Sequence, residues 1–234
     1  VNGDAFLSIA KSMDFSVIRK SQFEAHQLEA LFFGQAGLLE TEAQDAYVSE
    51  LKSTYVFLKT KFSISNNGVL PVQFFRLRPP NFPTIRLAQL AALYSRSLNL
   101  FSNIIEAQSL DQIHAIFEGA TSKFWETHYT FEKTSKSTPK TLTKSFMNLL
   151  IINTIIPIKF AYNKYNRQTN QEDVVAIMRK IPMEHNSIVD KFHSLFAFGK
   201  TAFDSQALIQ LKQNYCSKNK CLHCAIGSAL LNRN

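Results

Sequence analysis

Apolar positions along this chain recur mostly at steps of three and four, the spacing that gathers side chains on one face of an α-helix. Ala43, Tyr47, Leu51, Tyr55, Leu58 and Phe62 form the clearest stripe and predict a long helix over about 42–62. Shorter segments with the same period fall at 4–12, 22–33, 85–96, 98–106, 109–118, 145–164, 171–180, 186–197 and 205–214, with a last helix over 221–231. Asp204 stands where a helix beginning at Ser205 would take its cap. Ser65-Asn66-Asn67-Gly68 closes the long helix with turn-forming residues. Pro71–Arg78 alternates instead. Val72, Phe74, Arg76 and Arg78 share one side, and Gln73, Phe75 and Leu77 the other. Pro79 and Pro80 end this stretch, and Pro83 suits the first turn of the next helix. The expectation is an all-α fold, a single compact domain of about nine to eleven helices, with at most a minor extended segment near 71–78.

Length and composition support a folded chain. With 234 residues, the protein is long enough to bury roughly 70–75% of its unfolded surface. Hydrophobic residues make up 45% and charged residues 19%, which excludes a disordered chain. None of the 7 glycines falls into G-x-G-x-x-G or a P-loop, which argues against the common nucleotide-binding folds. The most apolar run, Leu149–Ile158, is interrupted by Asn153 and Pro157 and followed by Lys159. It is well short of the roughly 20 residues that span a bilayer. It reads as a buried core helix kinked near Pro157, and no membrane partner is expected. Residues 1–12 lack the basic and apolar regions of a signal peptide. The Val1 start reads as a processed product or the downstream part of a longer protein.

Charge changes the picture, because it is segregated. Residues 1–50 hold 3 basic and 8 acidic side chains, whereas residues 51–105 hold 7 basic and none acidic. Residues 132–171 are basic again, and the whole chain carries a formal +8. Two readings fit: a basic surface that attracts phosphate, or basic blocks that pack beside acidic blocks or face solvent.

Within the basic blocks, FFRLRPPNFPTIR (74–86) carries Arg76, Arg78 and Arg86. On an extended chain Arg76 and Arg78 would lie about 7 Å apart on one side. Arg86 falls in the first turn of the next helix. Such a cluster can grip phosphate or carboxylate bidentately, or tie acidic segments to this one. The polar stretch EKTSKSTPKTLTK (132–144) adds Lys133, Lys136 and Lys140. Together these six side chains make nucleic acid the candidate partner. Trp125-Glu126-Thr127-His128-Tyr129, with Phe124 and Phe131, either stacks bases or fills the core, and 20 phenylalanines favour the core.

The 3 cysteines are Cys216, Cys221 and Cys224, all in YCSKNKCLHC. An odd, tight cluster makes a poor disulfide framework and fits a reducing, cytoplasmic setting. Cys221 and Cys224, at i and i+3, would share one face of a helix or a knuckle, and a short turn brings Cys216 back toward them. Three thiolates suit zinc, or less well an iron–sulfur cluster, although no fourth cysteine follows. The same residues also serve as small packing side chains. No spacing pairs a nucleophile with a base, and His26 and Glu29 look like an ordinary solvated pair. The chain therefore reads as a binding or accessory module, with a structural or protein-interaction domain as the alternative.

FGQAGLLE (33–40 region), FRLRPPNFPTIRLAQLAAL (75–93), FWETHYTF (124–131), INTIIPIKFAY (152–162) and FDSQALIQLKQNYCSKNKCLHCAIG (203–227) together resemble the bacterial family known as domain of unknown function 2851. The resemblance implies an upstream region that this domain would support as its partner. It implies no activity. The Lys-Cys-x-x-Cys step also resembles the iron–sulfur loop of helix-hairpin-helix DNA glycosylases, with a shorter first loop and without the fourth cysteine.

Overall fold

The chain winds into short helices joined by turns, in the order α1 (Gly3–Lys11), α2 (Phe15–Ser21), α3 (Ala25–Gln35), α4 (Ala46–Phe62), α5 (Pro83–Arg96), α6 (Leu100–Glu106), α7 (Leu110–Phe117), α8 (Lys144–Leu150), α9 (Ile156–Tyr165), α10 (Glu172–Lys180), α11 (Ser187–Leu195), α12 (Ala202–Asn214) and α13 (Ala225–Leu231). The computed structural model describes residues 3–43, 45–166 and 172–231. Among them there is no sheet, and the β-pairing present is two isolated bridges, His128 with Thr134 and Pro182 with Thr201. The fold is all-α.

Capping side chains explain several helix starts. Asp14 accepts from the Ser16 N–H ahead of α2, and Asp45 from the Tyr47 N–H ahead of α4. Thr201 and Asp204 form a reciprocal capping box on α12. That corrects the expected start at Ser205: Asp204 is the third helical residue, and Thr201 is the cap. Pro71–Arg78 forms no strand. It holds a turn in which the Leu77 N–H donates to the Phe74 carbonyl at 3.2 Å.

The chain divides into two compact units, residues 1–103 with 115–144, and residues 104–114 with 145–234. The core of the first is built around α3. Leu28 through Gln35 are all buried, so this helix has no solvent face over that run. Val48, Leu51 and Leu58 of α4 and Ile85, Leu87, Ala88 and Ala91 of α5 belong to the same core. Gly34 lets α4 approach α3. A Cβ there would lie 2.2–2.4 Å from ring carbons of Tyr55. Gly34→Ala is therefore expected to destabilise this unit by about 1 kcal/mol. Overpacking costs roughly 1–3 kcal/mol, against about 1 kcal/mol regained from helix propensity. Urea unfolding measures it, and a variant as stable as the parent would show that Tyr55 swings aside freely.

In the second unit, α8 and α9 form one continuous helix through a π-helical segment, Ile151–Ile155. The Ile156 N–H donates to the Ile151 carbonyl, five residues back. Pro157 accounts for the irregularity, because it has no N–H and its ring crowds the carbonyl four residues before it. Met147, Ile151, Ile152, Ile155 and Lys159 are buried. Leu149, Ile158, Phe160 and Tyr165 are exposed, so the expected buried core helix has only one buried stripe. Lys144–Tyr165 is long and apolar enough to cross a membrane by length and composition alone. The Lys159 ammonium closes the end of α6. It donates to the carbonyls of Ile104 at 3.0 Å, Ile105 at 2.6 Å and Ala107 at 2.8 Å.

Candidate functional site

The turn Phe74–Leu77 sets how the first arginines are displayed. Arg76 sits in the left-handed backbone region at φ 60°, which arginine seldom adopts. Phe74 packs edge-on against Phe82, with ring centroids 5.1 Å apart. Phe75 is 78% exposed, and the Arg76 guanidinium carbon lies 5.1 Å from its ring centroid. Arg76 and Arg78 are both exposed, at a turn and not along one side of a strand. Arg86 behaves differently. It donates to the Gln89 Oε1 at 2.9 Å and to the Asn81 Oδ1 at 2.6 Å, bracing the short Pro79–Asn81 turn against α5. Burial pulls its basicity below the ordinary arginine range.

Helix α5 also holds the second basic segment. The Thr84 hydroxyl donates to the Tyr129 carbonyl at 2.5 Å. The Gln89 amide donates to the carbonyls of Lys140 at 3.1 Å and Thr141 at 3.3 Å. Lys133 and Lys136 are exposed. Lys140 is only 5% exposed. Its ammonium donates to the carbonyls of Glu126 and Thr138 and to the Thr138 hydroxyl, and lies 4.1 Å from the Tyr129 ring centroid. It fastens the loop and is turned away from solvent. Among the described residues, Arg76, Arg78, Lys133 and Lys136 lie within ion-pair distance of no carboxylate. Close acid–base pairs do occur at histidines, His26 with Glu50 and His185 with Asp190.

The cysteines lie where two 3-10 turns, Cys216–Lys218 and Cys221–His223, precede α13. All three thiols are free. Those of Cys216 and Cys221 are exposed, and that of Cys224 is half-buried. Among the described residues no group of three or more His, Cys, Asp or Glu side chains is placed to hold a metal ion. The expected helix face is missing because α13 begins only at Ala225, and Cys224 has an extended backbone (φ −102°, ψ 127°).

The Trp125 motif is core. Trp125 is fully buried, with the ring centroids of Phe33, Phe124 and Phe131 5.2–5.3 Å away. His128 stacks on Phe124 at 3.9 Å, and Phe124 stacks on Tyr47 at 4.2 Å. Behind this column lies a polar network that spacing did not suggest. The Trp125 indole N–H donates to the Tyr47 hydroxyl at 3.0 Å. Tyr47 donates to the Glu29 Oε2 at 2.9 Å, and Ser122 donates to the Glu29 Oε1 at 2.9 Å. Burial pushes Glu29 above the ordinary carboxylate range, and the two hydroxyls partly oppose it. Burial, with the Glu29 carboxylate beside it, drives the Tyr47 hydroxyl far up as well. The pair His26 and Glu29 is thus not a solvated one: Glu29 points inward, while His26 lies near the Thr54 hydroxyl at 3.3 Å. Only the unbroken burial of α3 betrays this, and that is visible from the fold.

A cleft of about 520 Å³ opens beside the column, lined by Glu42, Ala43, Asp45, His128, Phe131 and Glu132. His128 Nδ1 faces the Phe124 carbonyl at 2.9 Å, so in the neutral ring it is Nδ1 that carries the proton. Two of the three carboxylates are already engaged, Asp45 capping α4 and Glu132 accepting from the Thr41 hydroxyl at 2.6 Å. The exposed basic side chains beside α5 thus remain the stronger candidate.

Residues 1–187 match the family model described as "Protein of unknown function (DUF2851)". The stretch 203–227, with the cysteines, lies outside that match. No curated protein and no solved structure matches the chain.

Proposed function

The chain belongs to that family, whose description assigns no activity, and from the geometry we propose that its first unit is a nucleic-acid-binding module. The observation that supports this most is that, among the described residues, the exposed side chains of Arg76, Arg78, Lys133 and Lys136 lie within ion-pair distance of no carboxylate, Lys133 having only the weaker field of its neighbour Glu132. Basic blocks that served to neutralise the acidic first fifty residues would be paired with them. Helix α5 holds both basic segments, through Thr84 and Gln89 on one side and Arg86 on the other. Arginine presents a planar fork that suits phosphate oxygens, and exposed lysines add point charges. In this reading Arg76, Arg78, Lys133 and Lys136 touch phosphate, while Arg86 and Lys140 hold the backbone that displays them.

Binding of a labelled duplex, followed by fluorescence anisotropy across a salt series, tests the reading. Affinity should fall steeply with salt, with a slope near 0.9 per phosphate contact. The double variant Arg76→Gln, Arg78→Gln should lower that slope by about two contacts' worth. Binding that ignores salt, or that both this variant and Lys133→Gln, Lys136→Gln leave unchanged, would count against it.

A further inference from the structure

We propose that the Phe74–Leu77 turn is a stacking platform for an unpaired base, so that the first unit prefers single-stranded nucleic acid to duplex. This rests on the nucleic-acid reading above and names the form of substrate it takes.

Three independent features of the turn lead there. The first is exposure. Phe75 leaves most of its ring in water at 78% exposed, although its neighbour Phe74 packs against Phe82. The second is backbone strain. The third position of this turn favours glycine when φ is positive, yet Arg76 occupies it at φ 60°. A left-handed conformation is unfavourable for a residue with a Cβ, and such outliers concentrate at functional sites. Packing alone would be served as well by glycine. The third is the pairing of ring and charge. The Arg76 guanidinium lies 5.1 Å from the Phe75 ring centroid, and the exposed Arg78 follows two residues on.

The turn is also anchored at both ends. Phe74 is pinned to Phe82, and Arg78 leads into the Pro79–Asn81 turn that Arg86 braces. Two consecutive prolines stiffen that exit. The tip is thereby presented on a rigid base, so little order has to be gained on binding. An exposed aromatic face beside a fixed cation suits a base together with its phosphate. Duplex DNA keeps its bases stacked inside and offers the ring nothing but backbone. The same combination of features does not recur on α4. There Phe57 is exposed with the Lys61 ammonium 5.4 Å away, but on regular helix.

Anisotropy with an oligo-dT single strand and a duplex of equal length, on the whole chain, tests the proposal. Phe75→Ala should weaken single-strand binding roughly five- to hundredfold, the size of one base–aromatic stack, and leave duplex binding within about twofold. Phe75→Trp should retain the preference, and Phe57→Ala should leave it unchanged. Arg76→Gly keeps the turn, since glycine enters the left-handed region freely, and should weaken both forms. An unchanged unfolding midpoint in Phe75→Ala ties its loss to contact. Equal single-strand affinity in Phe75→Ala and the parent, or a parent that prefers duplex, overturns this proposal while the nucleic-acid reading stands. A parent that binds neither form overturns both.

Discussion

Glu29→Ala is expected to cost the first unit about 4 kcal/mol. The substitution removes a carboxylate that accepts from Ser122 and Tyr47 and leaves both hydroxyls facing a new cavity. Each buried polar group left without a partner costs roughly 1–3 kcal/mol, and the lost volume adds to that. Glu29→Gln behaves differently, because an amide can accept from Tyr47 and donate to Ser122 in nearly the same space. The two variants also separate by pH. Burial holds Glu29 above its ordinary value of 4.5, so between that value and the raised one the folded state binds more protons than the unfolded. Stability contributed by this group is thus present below pH 4.5 and falls as pH climbs through the window. Glu29→Gln lacks that dependence, so its stability relative to the parent should rise across the window and then level off. Urea unfolding over a pH series checks both points. A Glu29→Ala variant within 1 kcal/mol of the parent would mean that water reaches the network.

In the second unit the largest expected loss comes from Lys159→Met, at about 3 kcal/mol. Methionine fills the stem of the lysine but cannot donate. The carbonyls of Ile104, Ile105 and Ala107 would then lose the one ammonium that serves all three. A bond involving a charged partner contributes roughly 1.5–3 kcal/mol, and these acceptors lie at the end of α6, where carbonyls have no helical partner. The ammonium also lies at the negative end of that helix. Thermal unfolding gives the size of the effect. Hydrogen exchange gives its place, with α6 amides expected to lose protection first. A loss spread evenly over the second unit would contradict the capping role.

Much of the helical framework could be read from the chain, because periodicity is a local property. The stripe Tyr47, Leu51, Tyr55, Leu58 and Phe62 does lie on a helix, although Ala43 precedes its cap at Asp45. What could not be read depends on distant partners. Pro71–Arg78 alternates like a strand, but a strand needs a neighbour to complete its hydrogen bonds, and none is present among the described residues. Lys140 and Lys159 look like any solvated lysine in sequence. Each is buried because carbonyls from elsewhere in the chain converge on it, in the case of Lys159 from more than fifty residues away. Glu29 is hidden for the same reason. The cysteine spacing suits a helix face or a knuckle, and the structure puts a 3-10 turn, Cys221–His223, where the last helix was expected to begin.

The π-helical segment before Pro157 has a consequence in register. Met147, Ile151, Ile155 and Lys159 advance by four residues at each step. A regular α-helix turns about 100° per residue, so each such step overshoots by about 40°, and three of them by about 120°. Left uncorrected, the row would spiral away before it reached Lys159. The wider turn at Ile151–Ile155 absorbs an added residue and brings the row back into phase. Position here is therefore encoded by counting as much as by chemistry. Deleting an exposed residue inside that turn, such as Thr154, would return it to ordinary α-helix and keep the row in phase, whereas deleting one just after it, such as Ile158, would rotate Lys159 by about 100° and strand its ammonium from α6.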